Sequence, residues 1–267
     1  MAAKPGFPGF IQLARRMGTK AMHAVKRSGG RKEISDNSLG QRTIAADKWV
    51  EDVVIAELRR AKAECVLVSE EAGEIELSKN PEWTVVCDPL DGSANYKRGL
   101  PFYCLGLCYT PFGGSVKDVK EAYVLELVGG EEFFCRKGKG AFRNGKRMKA
   151  SNVERLGEAV VSLDLAKGSL RNGAKLGLLR AGDFRRFGPD LLDMCYCACG
   201  RLDGFVDARS SLSAIHACGV ALMEETCVVS DEKGKRIDAD LEVNERMNVV
   251  AAGTKRLHGQ LLAALKR

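Results

Sequence analysis

Between residues 9 and 28 the apolar positions Phe10, Leu13, Met17, Met22 and Val25 recur on one helical face, and between 44 and 63 a denser series does the same with Ile44, Val50, Val54, Ile55 and Leu58. The second series ends in basic residues suited to a helix C-terminus. Two helices therefore precede any sheet. The pattern then shortens to β-rich runs, "CVLVSE", "WTVVCD", "YCLGLCYT", "EAYVLELV", "EEFFCR" and "GAFRN", separated by glycine-rich turns such as "PFGG", "VGG" and "RNGK". Consecutive strands joined by such short turns are expected to be antiparallel.

After residue 157 strands and helices alternate. "AVVSLD", "FRRF", "DGFVDA", "CVVSD" and "MNVVAA" read as strands, and 170–181, 189–199, 213–225 and 255–266 as helices. That rhythm predicts a second, mixed sheet with helices on its faces. The chain shows no internal repeat, low-complexity stretch or flexible linker. It divides into an N-terminal α+β half, 1–155, and a C-terminal α/β half, 156–267, with "KASNVERLG" as the hinge.

With 267 residues, 45% hydrophobic and 29% charged, the composition excludes disordered and fibrous classes and suits one large domain or two packed halves. No apolar run reaches the roughly 20 residues of a membrane helix, and the first residues lack the apolar centre of a signal peptide, so a cytoplasmic location is expected. The net charge of +7 is scattered. It fits an anionic small-molecule substrate, whereas "KRSGGRK" and "RNGKRMK" form no clustered basic face of the kind that would indicate nucleic acid. The ten cysteines contain no pair of C-x2-C motifs. Cys195 and Cys199 share a helix face and Cys104 and Cys108 a strand face, which reads as buried free thiols.

The chemistry is concentrated in "CDPLDGSAN", residues 87–95. Pro89 cannot continue a ladder, so the chain turns there and Asp88 and Asp91 can converge. Two carboxylates and the Leu90 carbonyl between them are oxygen donors for a hard divalent cation. Gly92 permits close backbone approach, and the N–H groups of Gly92 and Ser93 can cradle a phosphate beside that cation. "VLVSEE" ends a strand in Glu70 and Glu71, where Glu70 can lie beside Asp88, and "TIAADKWVED" puts Asp47 near a helix start. Taken alone, these segments are equally an Asp-rich turn, surface glutamates and a helix N-terminal aspartate.

The combination of "SEE", "WTVVCDPLDGSAN", "TIAADKWVEDV" and "RGLPFY" resembles the inositol monophosphatase / fructose-1,6-bisphosphatase superfamily of Mg2+-dependent, lithium-sensitive phosphatases. It is most similar to the archaeal branch, whose members often hydrolyse both inositol monophosphate and fructose 1,6-bisphosphate. "RRFGPDLLDMCYCACGRLDGFVDAR" extends the likeness over essentially the whole chain. The resemblance implies a five-layer αβαβα sandwich with an antiparallel N-terminal sheet and a mixed C-terminal sheet. It implies Glu70, Asp88, the Leu90 carbonyl and Asp91 as ligands of Mg2+, or of Mn2+. Asp47, Glu70 and Ser93 would serve catalysis, Asp47 and Ser93 by orienting the attacking water. Asp91, Gly92, Ser93, Arg185, Asp190 and Arg209 would contact a small phosphate ester. The resemblance also implies a homodimer.

The pattern breaks in the second half. Where this superfamily has W/x-D-x-A-A-G, whose aspartate serves a second metal, the chain reads "AIHACG", with Ile215 at the aspartate position. An aliphatic side chain cannot ligate a cation, so the expected outcomes are a weakened or rearranged second site with slow catalysis, another residue substituting for the aspartate, or a non-catalytic binding role. The neighbouring His216 carries an imidazole, a poor partner for Mg2+ that would favour a transition metal; its other reading is a helix residue facing its neighbours. The next segment, "EETC", and Pro189 also depart from the superfamily pattern.

Overall fold

Successive side chains of a strand point to opposite faces, and in β3 (Cys65–Ser69), β5 (Trp83–Asp91) and β6 (Cys104–Pro111) nearly every position is buried, so this sheet must be covered on both sides. The computed structural model describes residues 7–36, 42–164 and 177–266. On one face Leu67, Val85, Leu105, Leu107 and Tyr123 pack against Phe10, Leu13 and Met17 of α1 (Phe10–Ala24) and Val50, Val54 and Leu58 of α2 (Ala45–Arg60). On the other, Val66, Val86, Cys108 and Val124 pack against Leu191, Met194 and Cys195 of α4 (Asp190–Ala198) and Val220 and Leu222 of α5 (Ala217–Glu224).

That middle pair of helices is shared by a second sheet. Its strands β11 (Val160–Leu163), β12 (Asp183–Arg185), β13 (Gly204–Ser213), β14 (Val228–Ser230) and β15 (Arg246–Ala252) run in the order β12-β11-β13-β15-β14. β11 is parallel to β12 and β13, while β15 is antiparallel to β13 and β14. Phe205, Val249 and Ala251 face the middle helices; Val206, Val250 and Ala252 face Leu257 and Leu261 of α6 (Lys255–Leu265). The layers are thus helices, sheet, helices, sheet, helix, the expected αβαβα sandwich.

The first sheet holds eight strands. β4 (Gly73–Glu76) forms its edge beside β3, and β7 (Glu121–Glu126), β8 (Glu132–Arg136), β9 (Gly140–Arg143) and β10 (Lys146–Arg147) continue beyond β6. It is antiparallel except that β3 and β5 run parallel. The exception arises because the chain turns back as β4 between them, a strand whose alternate exposed glutamates offer no apolar run to read. A small β1–β2 ribbon (Glu33–Asp36 with Arg42–Ile44) leads into α2. The helix expected over 213–225 is a 3-10 turn, Ala214–His216, followed by α5. Most of the helix expected over 170–181 lies outside the described residues. The ten cysteines are free thiols, all buried or partly buried, as their spacing suggested.

The middle layer sits close on the first sheet because Gly106 has no side chain. A Cβ there would lie 2.3 Å from Leu191 Cδ1 and 2.9 Å from Cys218 Sγ. Gly106→Val should therefore destabilise the protein by about 1–3 kcal/mol through overpacking, despite valine's preference for strands. Urea unfolding checks this as a lower midpoint at unchanged slope.

Candidate metal and phosphate site

In a regular strand Asp88 and Asp91, three positions apart, would point to opposite faces. In β5 they do not, because the ladder to β6 slips: Asp88 pairs with Gly106 and Asp91 with Cys104, so three steps on β5 match two on β6. The extra residue is a bulge at Pro89 and Leu90, placed where proline has no N–H to give. Leu90 turns its side chain into the core under α1 and α2, while both aspartates face the middle helices. Asp88 Oδ1 accepts the Leu90 N–H at 3.1 Å, and Asp91 Oδ2 accepts the Leu191 N–H at the start of α4 at 2.7 Å.

Glu70 follows β3, next to β5, and its N–H donates to the Cys87 carbonyl at 3.3 Å. Burial drives its carboxyl well above the ordinary range, and the Asp88 charge adds to the rise. The same two causes, in the same order, drive Asp91 up. Glu51, one turn after Asp47 on α2 and fully buried, accepts from Ser69 Oγ at 2.6 Å and from the Ala72 N–H at 3.0 Å, bracing the turn that carries Glu70 and Glu71. Sequence reasoning missed Glu51; the clue was a carboxylate four residues after Asp47 on the apolar face of α2. Thr43 Oγ1 donates to Glu71 Oε2 on the same rim.

Asp47 accepts the Ile44 N–H through Oδ2 at 2.9 Å, and Ser93 Oγ lies 2.8 Å from Asp47 Oδ1 and 2.8 Å from the Leu90 carbonyl. The hydroxyl has one hydrogen, so it serves one of these oxygens at a time. Burial pushes the Asp47 carboxyl up to about 7. Gly92, at φ 95°, opens the short helix α3 (Ser93–Arg98); a Cβ there would meet the Phe102 carbonyl at 2.8 Å and Pro189 Cγ at 2.9 Å. Asn95 Nδ2 then donates to the carbonyls of Phe102 at 2.9 Å and Phe187 at 2.7 Å, tying this turn to the approach to α4.

Ile215 is buried among the middle-layer side chains and contributes nothing to the site. The next residue does: His216 Nε2 lies 3.1 Å from Asp88 Oδ2, and Asp88, Asp91 and His216 offer donor atoms within 4.8 Å of one another. Burial alone would lower the imidazolium, but the Asp88 hydrogen bond and the charges of Asp91, Asp88 and Asp190 prevail and push it up to about 10.

A second acidic group, Asp164, Asp190 and Asp207, is gathered beside it. β11, β12 and β13 are parallel, so their C-terminal ends align and bring Asp164, Arg186 and the Asp207–Arg209 segment together. Arg209 Nε and Nη2 grip Asp207 at 3.0 and 2.6 Å, and Nη2 reaches Asp164 Oδ2 at 2.5 Å. Arg186 also pairs with Asp164 and lies 3.8 Å from Asp190 Oδ1. Burial raises the Asp190 carboxyl against the pull of His216 and Arg186. Asp190 and Arg209 thus stand in one charged group. Arg185 is exposed on the sheet edge, paired with Asp183 at 2.7 Å, and Arg186 stands in the cluster instead.

A sequence profile described as the inositol monophosphatase family matches residues 5–267. The chain is 33% identical over 242 residues to a fructose-1,6-bisphosphatase/inositol-1-monophosphatase of Methanocaldococcus jannaschii, covering 85% of this chain and 88% of that protein. It is 30% identical over 250 residues to a protein of the same description from Thermococcus kodakarensis, covering 92% and 90%. A crystal structure described as an inositol monophosphatase-fructose 1,6-bisphosphatase superposes with a TM-score of 0.83 at 26% identity, covering 96% of this chain and 99% of that one.

The raised carboxyls make a prediction about pH. A group whose folded pKa exceeds its unfolded value binds protons on folding, so its stabilisation is complete below the unfolded value and is lost as pH rises through the folded one. Burial pushes Asp47 and Asp193 from 3.8 to about 7, and the balance described above takes His216 from 6.5 to about 10, so all three act in this sense. Metal-free protein should lose melting temperature between about pH 5 and pH 8, and a divalent cation should restore more at the higher pH because it favours ionised carboxylates. Scanning calorimetry checks this; a metal-free melting temperature that rises over that interval would contradict it.

Proposed function

Because the chain belongs to the inositol monophosphatase family, we propose that it is a divalent-metal-dependent phosphomonoesterase acting on a small sugar or inositol phosphate. The observation that carries this reading is the bulge that turns Asp88 and Asp91 to one face, within the electrostatic reach of Glu70. Buried carboxyls such as Glu70 and Asp91, driven up by burial and by the neighbouring Asp88 charge, are a donor set in want of a cation, so these residues fit the metal the family implies. Glu70, Asp88, Asp91 and the Leu90 carbonyl would hold it. A bound divalent ion there lowers the pKa of water and neutralises phosphoryl charge. Mg2+ is the first candidate for the Glu70 side of the site, with Mn2+ as an alternative.

The remaining roles fall to the chain's own groups. The Asp47 carboxyl, near neutrality in its proton affinity, accepts a proton passed through Ser93 Oγ from a water on the reacting side. Gly92 brings the backbone close to the phosphate. Asp190 offers acceptors for substrate hydroxyls, with Arg209 held rigid between Asp207 and Asp164. Among the described residues this rim sets three carboxylates against two guanidiniums, which favours a polyol monophosphate over a sugar bisphosphate. Ile215 supplies no ligand, so slow turnover in Mg2+ alone belongs to the same reading. A homodimer does too, and the mass in solution tests it.

Phosphate release from inositol monophosphate, fructose 1,6-bisphosphate and 3′-phosphoadenosine phosphate, across Mg2+ and Mn2+ with lithium as inhibitor, decides the matter. Asp88→Asn should abolish release. Asp47→Asn should lower kcat by about 100-fold with little change in metal affinity, as expected for loss of a general base. Binding of an ester without release under any metal condition would instead make the chain a non-catalytic binder.

A further inference from the structure

Entry into α5 puts a nitrogen donor among the oxygens of Asp88 and Asp91. We propose that Asp88, Asp91 and His216 form a mixed carboxylate–imidazole site selective for a borderline transition ion, Mn2+, Co2+ or Zn2+, over Mg2+. The inference deepens the phosphatase reading and rests on it only in taking this cluster as the place where a metal binds.

Two observations carry it. The donor atoms of the three residues already lie within 4.8 Å of one another. The His216 Nε2 to Asp88 Oδ2 separation is 3.1 Å. Two donors bound at about 2.1 Å to one ion are roughly 3.0 Å apart at a right angle and roughly 3.4 Å apart at a tetrahedral angle, so this pair is spaced as neighbouring ligands.

The donor chemistry sets the metal. Mg2+ dehydrates reluctantly and takes oxygen ligands, whereas imidazole suits first-row transition ions, whose affinity for a given site rises from Mn2+ towards Cu2+. Binding an ion there releases the imidazole proton held against Asp88, as it does for any histidine ligand. The other two histidines are unsuited to this site: His23 turns Nδ1 to the Thr19 carbonyl on α1, and His258 pairs with Ser230 in the outer layer.

The test uses the full chain stripped of metal. Pulsed EPR of the Mn2+-loaded protein should show a directly coordinated 14N nucleus that disappears in His216→Gln. Calorimetric titration should show that substitution weakening Co2+ and Zn2+ by about tenfold or more, the scale of a perturbed ligand shell, while Mg2+ changes little. His216→Asp should reverse the order and favour Mg2+. Circular dichroism of each variant confirms folding. Mn2+ bound without 14N coupling, or Co2+ and Mg2+ affinities equally insensitive to His216→Gln, would overturn the proposal. Phosphate release with no nitrogen coupling removes this inference and leaves the phosphatase reading; nitrogen coupling with no release from any ester does the reverse.

Discussion

The structure depends on one slip of register, the extra residue at Pro89 and Leu90 in β5. It turns two carboxylates that regular alternation would separate onto a single face, and it does so at the end of a strand buried on both sides. Their mutual repulsion in that setting is costly, and the neighbourhood is arranged around it. The Leu90 and Leu191 N–H groups each serve one oxygen, His216 stands against Asp88, and Glu51 braces the turn that brings Glu70 alongside. Stability and the readiness of these donors for a cation are therefore two aspects of one electrostatic arrangement.

The middle helices connect that arrangement to the second sheet. α4 begins with Asp190 in the outer acidic group, and its second residue donates to Asp91, so a single helix start touches both clusters. Parallel pairing of β11 with β12 and β13 brings the charged ends of three strands to the same rim. The site is consequently built where the two sheets and the shared helices meet.

Much of this was legible in the sequence. Helical and strand periodicities located α1, α2, α4, α6 and most strands, because each buries a continuous apolar face. β4 was hidden since an edge strand with exposed Glu74 and Glu76 has no such face. In the site, Glu70, Asp88 and Asp91 were readable because their residue types and flanking turn are the chemistry itself. Ile215 and His216 were harder: a one-residue difference in how a 3-10 turn enters α5 decides which side chain reaches the carboxylates, and spacing alone does not encode that rotation. Likewise Arg186 rather than Arg185 joins the cluster because a strand's alternation and its end point choose between neighbours.

The amide of Asn95 spends its two hydrogens on the carbonyls of Phe102 and Phe187. One side chain thus rivets the turn after the aspartates to the segment leading into α4, and parting them would strand one donor group and two acceptors at once. A molecule fastened in this way works as a fixed template. The two segments can therefore shift only as one body, because neither can move without the other.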